Sequence, residues 1–265
     1  MKYISAIQSY LAFEHCKGPA FISERSVGRV GLLGLLVGVV FGLNLSYLLL
    51  LPLLPPIPLL TPYSLYLLTL SAFHGLEFLS TALYNQKVAT ASSFVVDHSE
   101  HYTMAFLGAS LEYWLTSIFR LLSGVGGAFW GPLRVLGLAG VAGGQWLRFT
   151  AMMQCGDNFN HIIQTGDSTS NHALVTSGVY GVFRHPSYVG WFYWSISTQL
   201  MLGNRLCVVG YAWAGWRFFK ARIPYEESTL EELFGKETYG EYRERTWIGI
   251  PGILGGGKGG ARKKD

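Results

Sequence analysis

Residues 178–194 read GVYGVFRHPSYVGWFYW. Arg184, His185 and the phenol of Tyr188 stand together at the mouth of an aromatic, apolar run. Such a run suits a membrane, and a cation, an imidazole and a phenol at its entrance call for a function. The rest of the chain agrees with a membrane setting. Of 265 residues, 50% are hydrophobic and 14% charged, against about 25% charged in a soluble domain. Between Arg29 and Glu77 there is no Lys, Arg, Asp or Glu. That interval is about twice the ~20 residues that cross a bilayer, so it holds at least two spans.

Apolar runs divide the chain. The first covers Val30 to Leu60. Gly34, Gly38 and Gly42 lie four residues apart in it, a spacing that lets helix backbones approach closely in lipid. Pro52, Pro55, Pro56 and Pro58 end it. Asn44 and Ser46 leave open whether it is one span or a tight hairpin of two. A second span runs from Tyr63 to Leu83 and carries His74 and Glu77 on one helical face. Ionisable groups inside a span point to function by default, but an interhelical hydrogen bond is the simpler expectation for this pair. A third span covers Tyr102 to Phe119 and contains Glu112. A fourth covers Leu133 to Met153 and ends near Arg148, after a GAFWGP turn with an interfacial Trp130.

Residues 154–187 are polar. An apolar hairpin follows, with arms Tyr188–Leu202 and Leu206–Phe219 joined by a GNR turn. Beyond it Leu230, Leu233 and Phe234 form the apolar face of an amphipathic helix with Gly235 as its C-terminal stop, and a second short helix follows. The expected architecture is an all-α polytopic membrane protein of six to eight transmembrane helices. A C-terminal helical hairpin and cytosolic amphipathic helices form its catalytic region. Three segments follow: N-terminal transmembrane helices over 1–153, the catalytic region over 154–253, and a disordered basic tail over 254–265.

Lys/Arg bias sets the orientation. With a cytosolic N-terminus, Lys2, Lys17, Arg25, Arg29, Lys87, Arg148, Arg184 and the basic C-terminus fall inside, and Arg120, Arg134 and Arg205 outside. Residues 154–187 and the C-terminal segment then share the cytosolic face. Residues 1–15 carry Lys2, Gln8 and Glu14 and have no signal-peptide h-region, so the first apolar run is expected to serve as the membrane signal. Cys16, Cys155 and Cys207 are far apart and suggest neither a metal site nor a disulfide framework.

Taken singly, the residues of FRHPSY have ordinary explanations. Arg184 would snorkel to lipid phosphates, His185 and Pro186 would cap a helix, and Tyr188 would join an interfacial aromatic belt. The hairpin, however, returns Arg222, Glu226 and Glu227 to the same surface. Two charged clusters over lipid suggest a polar cofactor on one side and a lipid-borne group on the other.

Residues 174–202, LVTSGVYGVFRHPSYVGWFYWSISTQLML, with WRFFKARIPYEESTLEELFG and EYRERTWIGIPGI downstream and GDNFNHIIQ and NHALV upstream, resemble the isoprenylcysteine carboxyl methyltransferases. The resemblance covers residues 154–253; the N-terminal spans match only in being apolar. It implies S-adenosylmethionine as methyl donor, with S-adenosylhomocysteine as product. The acceptor would be the α-carboxylate of a C-terminal S-farnesyl- or S-geranylgeranyl-cysteine. It implies donor contacts from Gln164, from His172, Ala173, Leu174 and Val175, from Tyr180, and from His185, Pro186, Ser187 and Tyr188. It places Arg222 and Glu226 on the acceptor side as the catalytic pair, with Glu226 orienting Arg222. It implies the endoplasmic reticulum membrane and a cytosolic catalytic face. The partners would be prenylated CaaX proteins such as small GTPases and lamins, and membrane lipid, with no nucleic acid and no metal. An RHPxY element also occurs in sterol-type reductases that use NADPH and in phospholipid N-methyltransferases, which remain alternatives, as does a non-catalytic scaffold.

Overall fold

The structure is a computed structural model that describes residues 23–53, 57, 59–96, 99–124, 131–159 and 173–253. The described residues form seven α-helices: α1 Val27–Leu50, α2 Leu60–Tyr84, α3 Glu100–Ser123, α4 Gly131–Cys155, α5 Pro186–Leu202, α6 Arg205–Phe234 and α7 Lys236–Arg245. Among the described residues the only β feature is a parallel bridge between Phe183 and Trp247.

From Val30 to Leu50 the first apolar run is one continuous helix, so Asn44 and Ser46 mark no hairpin. The Asn44 side chain donates to Val40 O at 2.7 Å, so its amide is satisfied one turn back and does not open a turn. At ~1.5 Å per residue α1 is long enough to span the ~30 Å hydrocarbon core, and it is apolar enough to do so. Ser26 starts it, accepting from Arg29 N.

Buried charges pin the helices together. Arg148 of α4 grips Glu77 of α2 with two hydrogen bonds, Nε to Oε1 at 2.5 Å and a terminal nitrogen to Oε2 at 2.6 Å. The same guanidinium reaches Ser187 at the start of α5, Oγ at 3.1 Å and O at 3.3 Å. His74 joins Phe94 O at 2.8 Å and Tyr102 OH at 2.9 Å. The interhelical bonding expected for His74 and Glu77 is therefore present. Glu112 of α3 accepts from the backbone N–H groups of Arg205, Leu206 and Cys207 at 2.6–2.8 Å. A carboxylate on one helix thus satisfies the unpaired donors at the N-terminus of another, where the helix dipole favours negative charge.

α4 and α5 run antiparallel with backbones in contact. A Cβ added at Gly144 would lie 2.7 Å from Gly190 O and 2.8 Å from Trp194 N; one at Gly190 would lie 2.7 Å from Arg148 N. The close-approach face expected at Gly34, Gly38 and Gly42 is not used in this way. A Cβ at Gly38 or Gly42 would meet nothing within 4 Å, and one at Gly34 only the Phe94 ring at 3.6 Å. The intimate helix pair is the one that sets the first turn of α5.

α6 also differs from expectation. The hairpin arm and the amphipathic helix are one helix of 30 residues that runs through Pro224. Proline removes one amide donor but supplies no stop. The next stop is Gly235, which takes φ +85°, a conformation costly for residues with a Cβ.

Gly144→Ala is expected to lower Tm in detergent, by the overpacking cost of about 1–3 kcal/mol. Gly38→Ala is expected to leave Tm unchanged or raise it slightly through helix propensity. The reverse ranking would place the tight helix pair at α1.

Candidate active site

Helix α5 starts with Pro186, whose fixed φ suits a first helical position. His185 O accepts from Tyr188 N and Val189 N at 3.0 and 3.1 Å. The His185 side chain does not cap the helix. Its Nε2 lies 3.3 Å from Glu227 Oε1, its Nδ1 3.8 Å from Glu226 Oε1, and its ring stacks on Tyr188 at 5.5 Å.

Arg184 does not snorkel. It is 5% exposed, pairs with Glu227 at 2.5 Å, and donates to Thr246 O at 2.7 Å and Arg243 O at 3.3 Å. Those carbonyls belong to the C-terminal end of α7, where a cation opposes the negative end of the helix dipole. Main-chain bonds finish the join, Arg184 N to Trp247 O at 3.0 Å and Trp247 N to Val182 O at 2.9 Å. Burial would push the Glu227 carboxyl up, but hydrogen bonds and charge from His185 and Arg184 outweigh it and hold it below the ordinary glutamate value.

Arg222 and Glu226 share a face of the unbroken α6, and Tyr188 stands between them. Arg222 Nε donates to Tyr188 OH at 2.8 Å, and that hydroxyl donates to Glu226 Oε2. A phenol can donate and accept at once, so a single hydroxyl joins cation and anion. The Arg222 guanidinium also lies over the Tyr188 and Phe218 rings, 5.6 and 5.7 Å from their centres, within cation–π range.

Glu226 also faces a cavity of about 120 Å³. Ala173, Leu174, Val175 and Tyr180 line one side of it, and Leu230, Leu233 and Phe234 another. Asn158 holds the segment that begins at Ala173, exchanging hydrogen bonds with the backbone of Ala173 at 3.3 and 3.4 Å. Tyr180 OH donates to Ala151 O at 3.3 Å, and Tyr180 O accepts from Tyr242 OH at 2.8 Å. Burial pushes the Tyr180 phenol well up, so it remains protonated.

The residues expected from the sequence thus differ in where they stand relative to the cavity. Ala173, Leu174, Val175, Tyr180 and Glu226 line the cavity. His185 and Tyr188 sit beside it around Glu226 and Glu227, Pro186 is buried at the helix start, and Ser187 is held by Arg148. Gln164 and His172 lie outside the described residues. Sequence reasoning passed over Tyr239 and Tyr242, which also line the cavity. They sit in a short charged helix whose composition gives no hint of burial. Leu230, Leu233 and Phe234 were visible as an apolar face, and that face is a cavity wall.

Glu227→Gln would leave Arg184 buried beside a neutral partner, and the expected cost is about 3–5 kcal/mol. Because the folded-state value of Glu227 is depressed, its stabilisation is complete above the unfolded glutamate value of about 4.3 and fades as pH falls through the folded value. The Tm gap between wild type and Glu227→Gln should be full at pH 7 and close on acidification. A gap that widens in acid would contradict the pairing.

Comparison with known proteins bears on this geometry. Residues 135–232 match the model of the isoprenylcysteine carboxyl methyltransferase (ICMT) family. The chain is 48% identical over 195 residues to the protein-S-isoprenylcysteine O-methyltransferase of Xenopus laevis, an alignment that covers 73% of this chain and 65% of that protein. The chain thus spans just under two thirds of the length of the Xenopus and human proteins. It is 38% identical over 191 residues to the enzyme of that name from Dictyostelium discoideum, with 72% and 78% covered. For the B form from Arabidopsis thaliana the identity is 39% over 180 residues, with 68% and 87% covered. A solved structure of the eukaryotic intramembrane Ras methyltransferase ICMT superposes with a TM-score of 0.76 at 36% identity. It covers 95% of this chain and 84% of that one.

Proposed function

The chain belongs to the isoprenylcysteine carboxyl methyltransferase family, and from that premise we propose that it methylates the C-terminal α-carboxylate of S-farnesyl- or S-geranylgeranyl-cysteine. S-adenosylmethionine is the donor, and the acceptors are processed CaaX proteins such as small GTPases and lamins. The chain is an integral membrane protein with the family's helical fold. Among the described helices, α1 to α4, α5 and the first half of α6 supply six crossings, in the endoplasmic reticulum membrane with the C-terminal helices in the cytosol. The Lys/Arg distribution supports that orientation.

The observation that carries the reading is the Tyr188 hydroxyl bonded to both Arg222 and Glu226. It holds two opposite charges side by side, with Glu226 facing the cavity. A sulfonium donor and a carboxylate acceptor are also a cation and an anion that must meet. The cavity suits part of the donor: apolar walls for its nucleoside, and a carboxylate on the wall for the positive sulfur. When bound, the donor supplies an electrophilic methyl group on that sulfur. Glu226, with Ala173, Leu174, Val175, Tyr180, His185 and Tyr188 around it, would hold the donor.

Arg222 would hold the acceptor carboxylate, a pairing for which a planar guanidinium is well shaped. Its Nε bond to Tyr188 and its stacking on Phe218 fix the plane of the guanidinium. The acceptor is already ionised at pH 7, so no base has to remove a proton, and the work left to the chain is alignment. The surrounding apolar helices would take the prenyl chain, at about 0.8 kcal/mol per buried CH₂. The sequence reading has Glu226 orient Arg222; the bonds of Tyr188 to both support an indirect link through that hydroxyl, and the place of Glu226 on the cavity wall supports a role toward the donor.

S-adenosylhomocysteine is expected to raise the Tm of the detergent-solubilised protein, and NADPH to leave it unchanged; stabilisation by NADPH alone would overturn the methyltransferase reading. Arg222→Ala should cut kcat/KM for N-acetyl-S-farnesyl-cysteine by roughly 10²-fold or more, the scale of a lost positioning charge. Arg222→Lys should recover part of it, and both should bind S-adenosylhomocysteine normally. Loss of donor binding in either would move Arg222 to the donor side.

A further inference from the structure

Tyr239 lies in α7 and is 0% exposed. Its hydroxyl has no hydrogen-bond partner among the described residues, although its ring packs on Tyr242 at 5.9 Å and lines the cavity beside Glu226. Buried hydroxyls in folded proteins are almost always paired, and one that is not needs a reason. Tyr239 is one of the residues that wall the cavity. The cavity offers apolar and aromatic walls from Leu174, Val175, Leu230, Leu233 and Phe234, and its neutral polar side chains Asn158, Tyr180 and Tyr242 hydrogen-bond backbone carbonyls. Its charged side chains already have protein partners: Arg184 holds Glu227, and Glu226 accepts from Tyr188. At about 120 Å³ it lies well below the roughly 300–1,000 Å³ of a pocket for a drug-sized ligand. A space so small, with its charges already paired, suits one ring system with a polar edge better than a zwitterionic amino-acid end.

We infer that Tyr239 is a further donor-binding residue, whose hydroxyl hydrogen-bonds the nucleoside half of the methyl donor in this cavity. The inference rests on the methyltransferase reading and assigns a contact within it. Burial pushes the Tyr239 phenol up, so the group keeps its proton and is available as a donor as well as an acceptor. The unpaired state has a second consequence. Removing a hydroxyl that bonds protein destabilises a fold, whereas removing one that bonds only ligand leaves the ligand-free fold intact or firmer.

The test is Tyr239→Phe in the full chain, by thermal shift and isothermal titration in detergent, with S-adenosylhomocysteine and 5′-methylthioadenosine as probes. The second probe keeps the nucleoside and lacks the amino-acid end. The ligand-free variant should melt at or above wild type. Its Kd for both probes should rise by about tenfold, the scale of one hydrogen bond. Unchanged affinity for both, or a lower Tm without ligand, would overturn the assignment. A loss confined to S-adenosylhomocysteine would put the hydroxyl on the amino-acid half and overturn it too. Failure of wild type to bind S-adenosylhomocysteine is a separate outcome that removes the methyltransferase reading itself, and this inference with it.

Discussion

The buried pair between Arg184 and Glu227 is the join on which the site depends. One guanidinium ties the residue before α5 to a carboxylate on α6 and to the last carbonyls of α7. Each of its partners comes from a different part of the chain. Removing either charge strands the other away from water, which costs far more than the intact pair contributes. With the pair in place, His185 stacks on Tyr188, Tyr188 reaches α6, and Glu226 is turned to the cavity. The residues that look reactive in RHPSY therefore divide in two. Arg184 and Ser187 hold the turn in place, while His185 and Tyr188 are presented by it.

A membrane setting explains why so few polar groups determine so much. Lipid supplies no hydrophobic drive between helices, so close packing and satisfied polar groups must set their arrangement. Arg148 joins α2, α4 and α5 through Glu77 and Ser187, and Glu112 fixes the start of α6 from α3. The glycine contact of α4 with α5 brings two backbones together where Arg148 has to reach Ser187. These devices position the first turn of α5 from one side, and the Arg184 pair positions it from the other. A rigid start to α5 is what a phenol bridging two charges on another helix requires.

Much of this was legible in the chain. Apolar runs placed α2, α3, α4 and α5 within a few residues of their ends, because hydrophobicity and the bilayer thickness leave little freedom there. The proline cluster after Leu51 separated α1 from α2. The continuity of α6 was missed because the chain turns from apolar to charged after Phe219, which ends a span without ending a helix. The glycine face was assigned to α1 on its even spacing, while the contact that excludes a Cβ lies at Gly144 and Gly190; spacing shows that backbones could approach, not which partner arrives. Pairings over long sequence distances, such as Arg184 with Glu227, carry no local signal. Tyr239 was invisible for the same reason: it sits in a short charged helix, and it shares its cavity with Ala173, Leu174 and Val175, more than sixty residues away in the chain.

The central claim is that a carboxylate oxygen receives the methyl group, and the bond formed tests it most directly. Purified full-length protein in phospholipid nanodiscs would be given S-adenosylmethionine labelled in the methyl group, with N-acetyl-S-farnesyl-cysteine as acceptor. The account predicts label on the prenylcysteine as a methyl ester, released as methanol by mild base. Label that resists base or resides in the phospholipid would mean transfer to nitrogen or to lipid, and no transfer at all under these conditions would equally contradict the account.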